Sequence, residues 1–238
     1  MLDQQKDKAA FLKDVAAHRM TVIRDDGLYR HLRFKDPETI VSHFDLITWP
    51  GHLCYTGDMG TYVFSRVQDM FTFFRRTPHE RGGPIDLRYW AEKCLSQDKS
   101  GGGITEFDSD LFAAEIRTQR RAIFRRRLGL SKDERRDCWR ALDRIIAAAG
   151  DGEHRAFQAA FDWHFKYGKA LLPSDPEYFE LEHYHFHRGR RDLQLETSDF
   201  PPCRSYTTRF RWCCQALAWG IEQYDLAKAA VQPEPVAA

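Results

Sequence analysis

The stretch MTVIRDDGLYRHLRFKDPETIVSHFDLITWPGHLCYTGDMGTYVFS, residues 20–65, decides the fold. Met20 to Arg24 is rich in β-formers, and Asp25-Asp26-Gly27 supplies a turn in which glycine takes positive φ without steric cost. Leu28 to Phe34 then resumes as a strand with Leu28, Leu32 and Phe34 on one face. Asp36-Pro37-Glu38 interrupts the chain before a strand over Ile40 to Trp49, and Pro50-Gly51 makes a type II-like corner into His52 to Thr56. Gly57-Asp58-Met59-Gly60 turns into Thr61 to Ser65. Five short strands joined by tight turns pair in sequence order without knotting, so the expectation is an antiparallel β-meander with helices over one face.

Outward from this stretch the period becomes helical. Ala9, Phe11, Leu12, Val15 and Ala16 predict a short amphipathic helix over 8–18. Asp69 caps a helix carrying Met70, Phe71, Phe73 and Phe74, which Pro78 and Gly82-Gly83-Pro84 stop. A short helix at 87–95 precedes Ser100-Gly101-Gly102-Gly103, a hinge or domain-boundary candidate; no GK[ST] follows, so it does not read as a phosphate loop. Helices are predicted over 108–128, over 131–149 with a Ser131–Glu134 capping box, and over 153–167 up to Gly168. A strand is predicted at 180–187. The last helix, about 207–230, is apolar on two stripes: Phe210, Cys214, Leu217, Ile221 and Tyr224 on one, Trp212, Ala216 and Trp219 on the other. Such a helix is buried on two sides. The class is therefore α+β: a meander part over 1–100 and a helical part over 104–230, packed as one domain with the last helix returning to the meander, and a disordered tail over 231–238.

Composition removes several classes of function. The chain has 238 residues, 42% of them hydrophobic, enough for a core that needs no staples. Charged residues make up 30% with a net charge of +1, so the molecule as a whole is neither a polybasic coat nor an acidic mimic, and electrostatic specificity must be local. Acids scattered through residues 1–20 and the lack of a long apolar run predict neither a signal peptide nor a membrane span. Six cysteines without a CxxC pair read as reduced thiols of a cytosolic protein, with Cys213-Cys214 packed in a helix.

Arg117, Arg120, Arg121, Arg125, Arg126 and Arg127 form a run with no acid among them, and Arg117, Arg121 and Arg125 line one helical face. Arg136, Arg140 and Arg144 repeat that spacing in the next helix, partly offset by Asp133, Asp137 and Asp143. Guanidinium forks bind two oxygens at once, so these faces suit phosphate or a carboxylate-rich partner; the plainer alternative is a solvated face paired with the acidic 175–199 segment. His183, His185 and His187 alternate on a predicted strand and form a zinc candidate, with a surface-exposed edge strand as the plainer reading. Glu106, Asp108 and Asp110 read as helix caps. Asp45, His52, Asp58 and Ser65 are the candidates for convergence at one end of the sheet. Tyr55, Asp58 and Tyr62 flank a hairpin tip and are expected to contact a partner. No catalytic motif is present in the sequence, and no cofactor is expected.

Residues 43–75, HFDLITWPGHLCYTGDMGTYVFSRVQDMFTFFR, and 206–225, YTTRFRWCCQALAWGIEQYD, resemble a family of bacteriophage and prophage hypothetical proteins. That family carries an ITWPGHLxxTGDMGTYVF core and a C-terminal AxxWGIxQYD helix. The resemblance covers under half of the chain and does not extend to the arginine run. It implies a small phage gene product in the bacterial host cytoplasm, of a kind that engages host machinery or blocks host defence. The expectation is a non-enzymatic accessory protein that binds and inhibits a bacterial protein or ribonucleoprotein, anti-CRISPR being the most concrete version. The alternatives are direct DNA or RNA binding and, on the three histidines, a metal-dependent hydrolase or nuclease.

Overall fold

A computed structural model describes residues 2–77, 79–80, 83–98, 102–126, 128–168 and 191–231. The architecture is α+β and divides into two compact units, one formed by residues 1–106 with 206–238, the other by residues 107–205. The last helix, α7 (Thr208–Val231), belongs to the first unit with the sheet. The chain leaves that unit a few residues after Gly103.

The first unit is built on a six-stranded antiparallel sheet whose spatial order is the sequence order: β1 (Arg19–Asp26), β2 (Tyr29–Lys35), β3 (Phe44–Trp49), β4 (His52–Gly57), β5 (Gly60–Ser65) and β6 (Cys94–Gln97). Five strands are those expected, and β6 is an addition. The predicted helix over 87–95 ends at Glu92 as α3 (Leu87–Glu92), and Cys94 to Gln97 pairs instead with Tyr62, Val63 and Phe64. The free edge of β5 supplies the partners that a four-residue segment cannot announce by its own period. β3 is shorter than expected because Ser42 takes a left-handed φ of 58°. Asp58 Oδ2 accepts from Ser42 N at 2.6 Å, and His18 Nε2 lies 3.0 Å from Ser42 O, which fixes that turn.

Strand parity sends Leu32, Phe34, Phe44, Leu46, Leu53, Tyr55, Tyr62 and Phe64 to one face, and all are completely buried. Onto that face pack α1 (Leu2–Asp14) through Phe11, α2 (Met70–Phe74), α3 through Trp90, and α7. Gly220 lets α7 lie close, since a Cβ there would stand 3.0 Å from Leu46 Cδ1. The opposite face, with His31, Arg33, Ile47, Trp49 and Cys54, is half-buried or exposed except at Asp45, the usual state of an antiparallel sheet packed on one side.

Tyr55 and Tyr62 therefore do not display themselves at the hairpin tip. Each is 0% exposed; they are register partners across β4 and β5, against Phe44 and Phe210 respectively. Gly57 and Gly60 close the Asp58-Met59 turn, and two residues from each, away from the turn, the parity points inward.

At the rim of this core Arg30 lies over the Phe71 ring, 4.7 Å from its centroid, and forks onto Asp69 at 2.8 and 3.2 Å. Asp69 also caps α2 by accepting from Phe71 N at 3.0 Å. Burial alone would raise the Asp69 carboxyl, but the Arg30 hydrogen bonds, the Phe71 amide and the nearby cations outweigh it and hold it below its usual 3.8. A lowered folded pKa means stability that is complete above the ordinary carboxylate range and lost as pH falls through the folded value. We expect Asp69→Ala to cost about 2–3 kcal/mol at pH 7, since it strands a mostly buried guanidinium and removes a cap. Asp69→Asn keeps the cap and should cost less, while flattening the loss of stability below about pH 4. Urea titrations at several pH values check both; identical acid limbs for wild type and the Asp69→Asn variant would refute the assignment.

The chain enters the second unit through the short strand β7 (Thr105–Phe107) and leaves it through β10 (Arg204–Tyr206). Between them lie α4 (Ser109–Arg125), α5 (Lys132–Ala148), a 3-10 turn at Ala149–Asp151, α6 (Glu153–Phe161), and the antiparallel pair β8 (His164–Tyr167) and β9 (Arg191–Gln194). Asp108 caps α4 by accepting from Asp110 N and Leu111 N, both at 3.0 Å, and the Ser131–Glu134 capping box opens α5. The helix expected over 153–167 stops at Phe161, because His164 to Tyr167 finds a strand partner in Arg191 to Gln194. Phe112, Ile116 and Ile123 of α4 meet Cys138, Leu142 and Ile145 of α5 in a core with Ala156, Ala160 and Trp163. The predicted strand at 180–187, its three histidines, Arg127 and tail residues 232–238 lie outside the described residues.

Candidate anion-binding surface

On α4 the core stripe through Phe112, Ile116 and Ile123 leaves Arg117, Arg121 and Arg125 exposed. They are one turn apart, so their backbones step along the helix axis by about 6 Å each. None of the three makes an ion pair with a described residue. From Ile116 to Lys132 the chain holds seven cations and no acid.

Arg120 is different, and its expected role as a ligand is corrected. Its side chain is only 11% exposed, Nη1 donates to Asp143 Oδ1 at 2.5 Å, and the guanidinium carbon stands 3.8 Å from the centroid of the Trp139 ring. It clamps α4 to α5. Arg126, which follows α4, lines a cleft with Glu115, Glu196 and Asp199. On α5, Arg136 pairs with Asp133 at 3.0 Å and Arg140 lies 3.9 Å from Asp137. Pairs this exposed are worth about 0–1 kcal/mol and exchange readily for a ligand oxygen. Arg144 is exposed and unpaired among the described residues.

The other candidates separate. Register places His52 opposite Ser65 at one end of the sheet and Asp45 opposite Thr56 towards the other, with Asp58 in the turn beyond, so the four do not converge. Asp45 is instead held by Arg33, at 2.9 and 2.8 Å, and by His31 at 2.7 Å. Burial opposes its ionisation, yet these partners keep its carboxyl below the usual range. His31 and Cys54 flank Ile47 on neighbouring strands, about 9.5 Å apart by sheet spacing, and burial pushes the Cys54 thiol up, so they form no nucleophile and base pair. Asp58 holds the Ser42 amide and lies 3.1 Å from His43 Nδ1, a positioning role. Among the described residues no cluster of three His, Cys, Asp or Glu is arranged to hold a metal, and no helix is long and apolar enough to cross a membrane. The chain matches no family model, no curated protein and no solved structure.

Proposed function

We propose that this chain is a phage accessory protein that acts by binding, with the exposed α4 arginines as its anionic contact and a bacterial host protein or ribonucleoprotein as its target. Covering the target in the host cytoplasm blocks or redirects it, an anti-defence role of which anti-CRISPR activity is the concrete case. The observation that carries the anionic contact is the row Arg117, Arg121 and Arg125, exposed, one turn apart and unpaired among the described residues. Guanidinium forks bind two oxygens of one phosphate or carboxylate, and the helix fixes the spacing of the row before a partner arrives. The host context rests on the two stretches that resemble phage proteins.

The double variant Arg121→Glu/Arg125→Glu should elute from immobilised heparin at clearly lower salt than wild type, with unchanged far-UV circular dichroism. It should also lose at least about tenfold in affinity for whatever host component the wild type retains from bacterial lysate after nuclease treatment. Wild-type elution and retention by the folded variant would refute the surface.

A further inference from the structure

Of the six tryptophans, Trp139 is the strongly exposed one, at 46%, while Trp90, Trp163 and Trp212 are buried. An indole ring left half in water without a core role is unusual, and this ring is not loose. Arg120 covers one face at 3.8 Å, Asp143 pins Arg120, and Phe124 lies 5.5 Å away at an interplanar angle of 44°. The ring is thus held by Arg120 and Phe124 while the residue stays strongly exposed. Arg117 and Arg121 precede Arg120 and Phe124 by three residues each, which makes them helix-surface neighbours of the two residues the ring touches. On α5, exposed Arg135 and Arg136 lie four and three residues before Trp139. A partly exposed indole thus stands among guanidinium groups from two helices.

We infer that Trp139 is a base-stacking platform and that the anionic partner presents single-stranded nucleic acid, DNA or RNA; this rests on the arginine surface proposed above. Each nucleotide of a single strand offers a phosphate to an arginine and an unstacked π-face to an indole. A duplex hides those faces, and an acidic protein segment offers charge without them. The clamp through Arg120 and Asp143 holds the ring in place before the ligand arrives, so little ordering is lost on stacking. Arg120 is a positioning residue; Arg117, Arg121 and Arg125 supply the phosphate contacts. Three phosphate contacts predict that log K against log salt falls with a slope of roughly −2.

The test measures anisotropy of labelled twelve-nucleotide oligothymidylate and of an abasic oligomer of equal length and charge, with tryptophan quenching alongside. Wild type should bind the thymidylate on the order of tenfold more tightly than the abasic strand, the gain expected from one stacked base. Trp139→Ala should erase that difference and leave abasic binding intact, whereas Trp139→Phe should keep most of it, which preserves the test if the alanine variant folds poorly. Equal binding of both oligomers by wild type overturns the platform and leaves the arginine surface standing. Failure of both to bind overturns single-stranded nucleic acid as the partner, and the heparin elution then decides the arginine surface on its own. A duplex of equal length, or a polyglutamate of equal charge, that binds as tightly as the thymidylate overturns the choice of single-stranded nucleic acid.

Discussion

Gly57→Ala is expected to unfold the sheet unit. Gly57 ends β4 opposite Phe44 of β3, and a Cβ built on it would overlap His43 O outright while standing 2.8 Å from Phe44 Cα and 3.0 Å from Phe44 Cβ. The first two are backbone atoms, which no rotamer change can move aside. The His43 carbonyl also accepts from Asp58 N at 3.2 Å, so pushing it away breaks the hydrogen bond that seats the Asp58-Met59 turn. Asp58 in turn holds the left-handed Ser42 in the turn before β3. A methyl group at one position therefore disturbs a strand end, a turn and a neighbouring turn together. A cost on the order of 4 kcal/mol or more follows, comparable with the whole stability of a small domain. Gly150→Ala is the control, because a Cβ there meets nothing within 4 Å. Soluble yield and urea unfolding check the pair: Gly150→Ala should resemble wild type. A Gly57→Ala protein with a wild-type urea midpoint would show that β3 and β4 separate more easily than this close approach implies.

The turn residues make the meander legible, because Asp26-Gly27, Pro50-Gly51 and the Gly57–Gly60 turn mark its strand ends directly. β6 is not legible, since its pairing depends on the edge of β5 far back in the sequence. Tyr55 and Tyr62 hold enough information in themselves: each alternates in step with Leu53 and Phe64, and parity outranks nearness to a turn. The segment after Phe161 reads as helix in isolation because its strand partner comes from residues 191–194. The arginine row on α4 is visible from spacing alone. The withdrawal of Arg120 from that row is not, for its partners Trp139 and Asp143 sit on another helix. The same packing leaves Trp139 exposed while Trp90, Trp163 and Trp212 are buried, and composition carries no signal that separates them.

Phe44→Ala is expected to cost about 3–5 kcal/mol, the range for removing a fully buried aromatic ring. The ring stacks on Phe34 at 4.7 Å and 13° and on Tyr55 at 5.6 Å and 20°, and meets Trp212 edge-on at 5.7 Å. Its neighbours come from β2, β4 and α7, so it joins the sheet to the helix that closes it. Collapse into the space left behind is hindered because those neighbours are themselves fixed: Trp212 Nε1 donates to Asp14 Oδ2 at 3.0 Å, and Phe34 packs under Gly220. Phe44→Leu retains most of the volume and loses the ring geometry, so its cost should fall well below that of alanine, with the aromatic pairing lost at about 0.5–1.5 kcal/mol per pair. Urea unfolding with an unchanged slope, and near-UV dichroism of the coupled rings, measure both. A loss under about 1 kcal/mol for Phe44→Ala would mean that α7 settles onto the sheet and fills the gap. The alanine variant should not rescue Gly57→Ala, because the closest clash is with the His43 carbonyl, which trimming the Phe44 ring leaves in place.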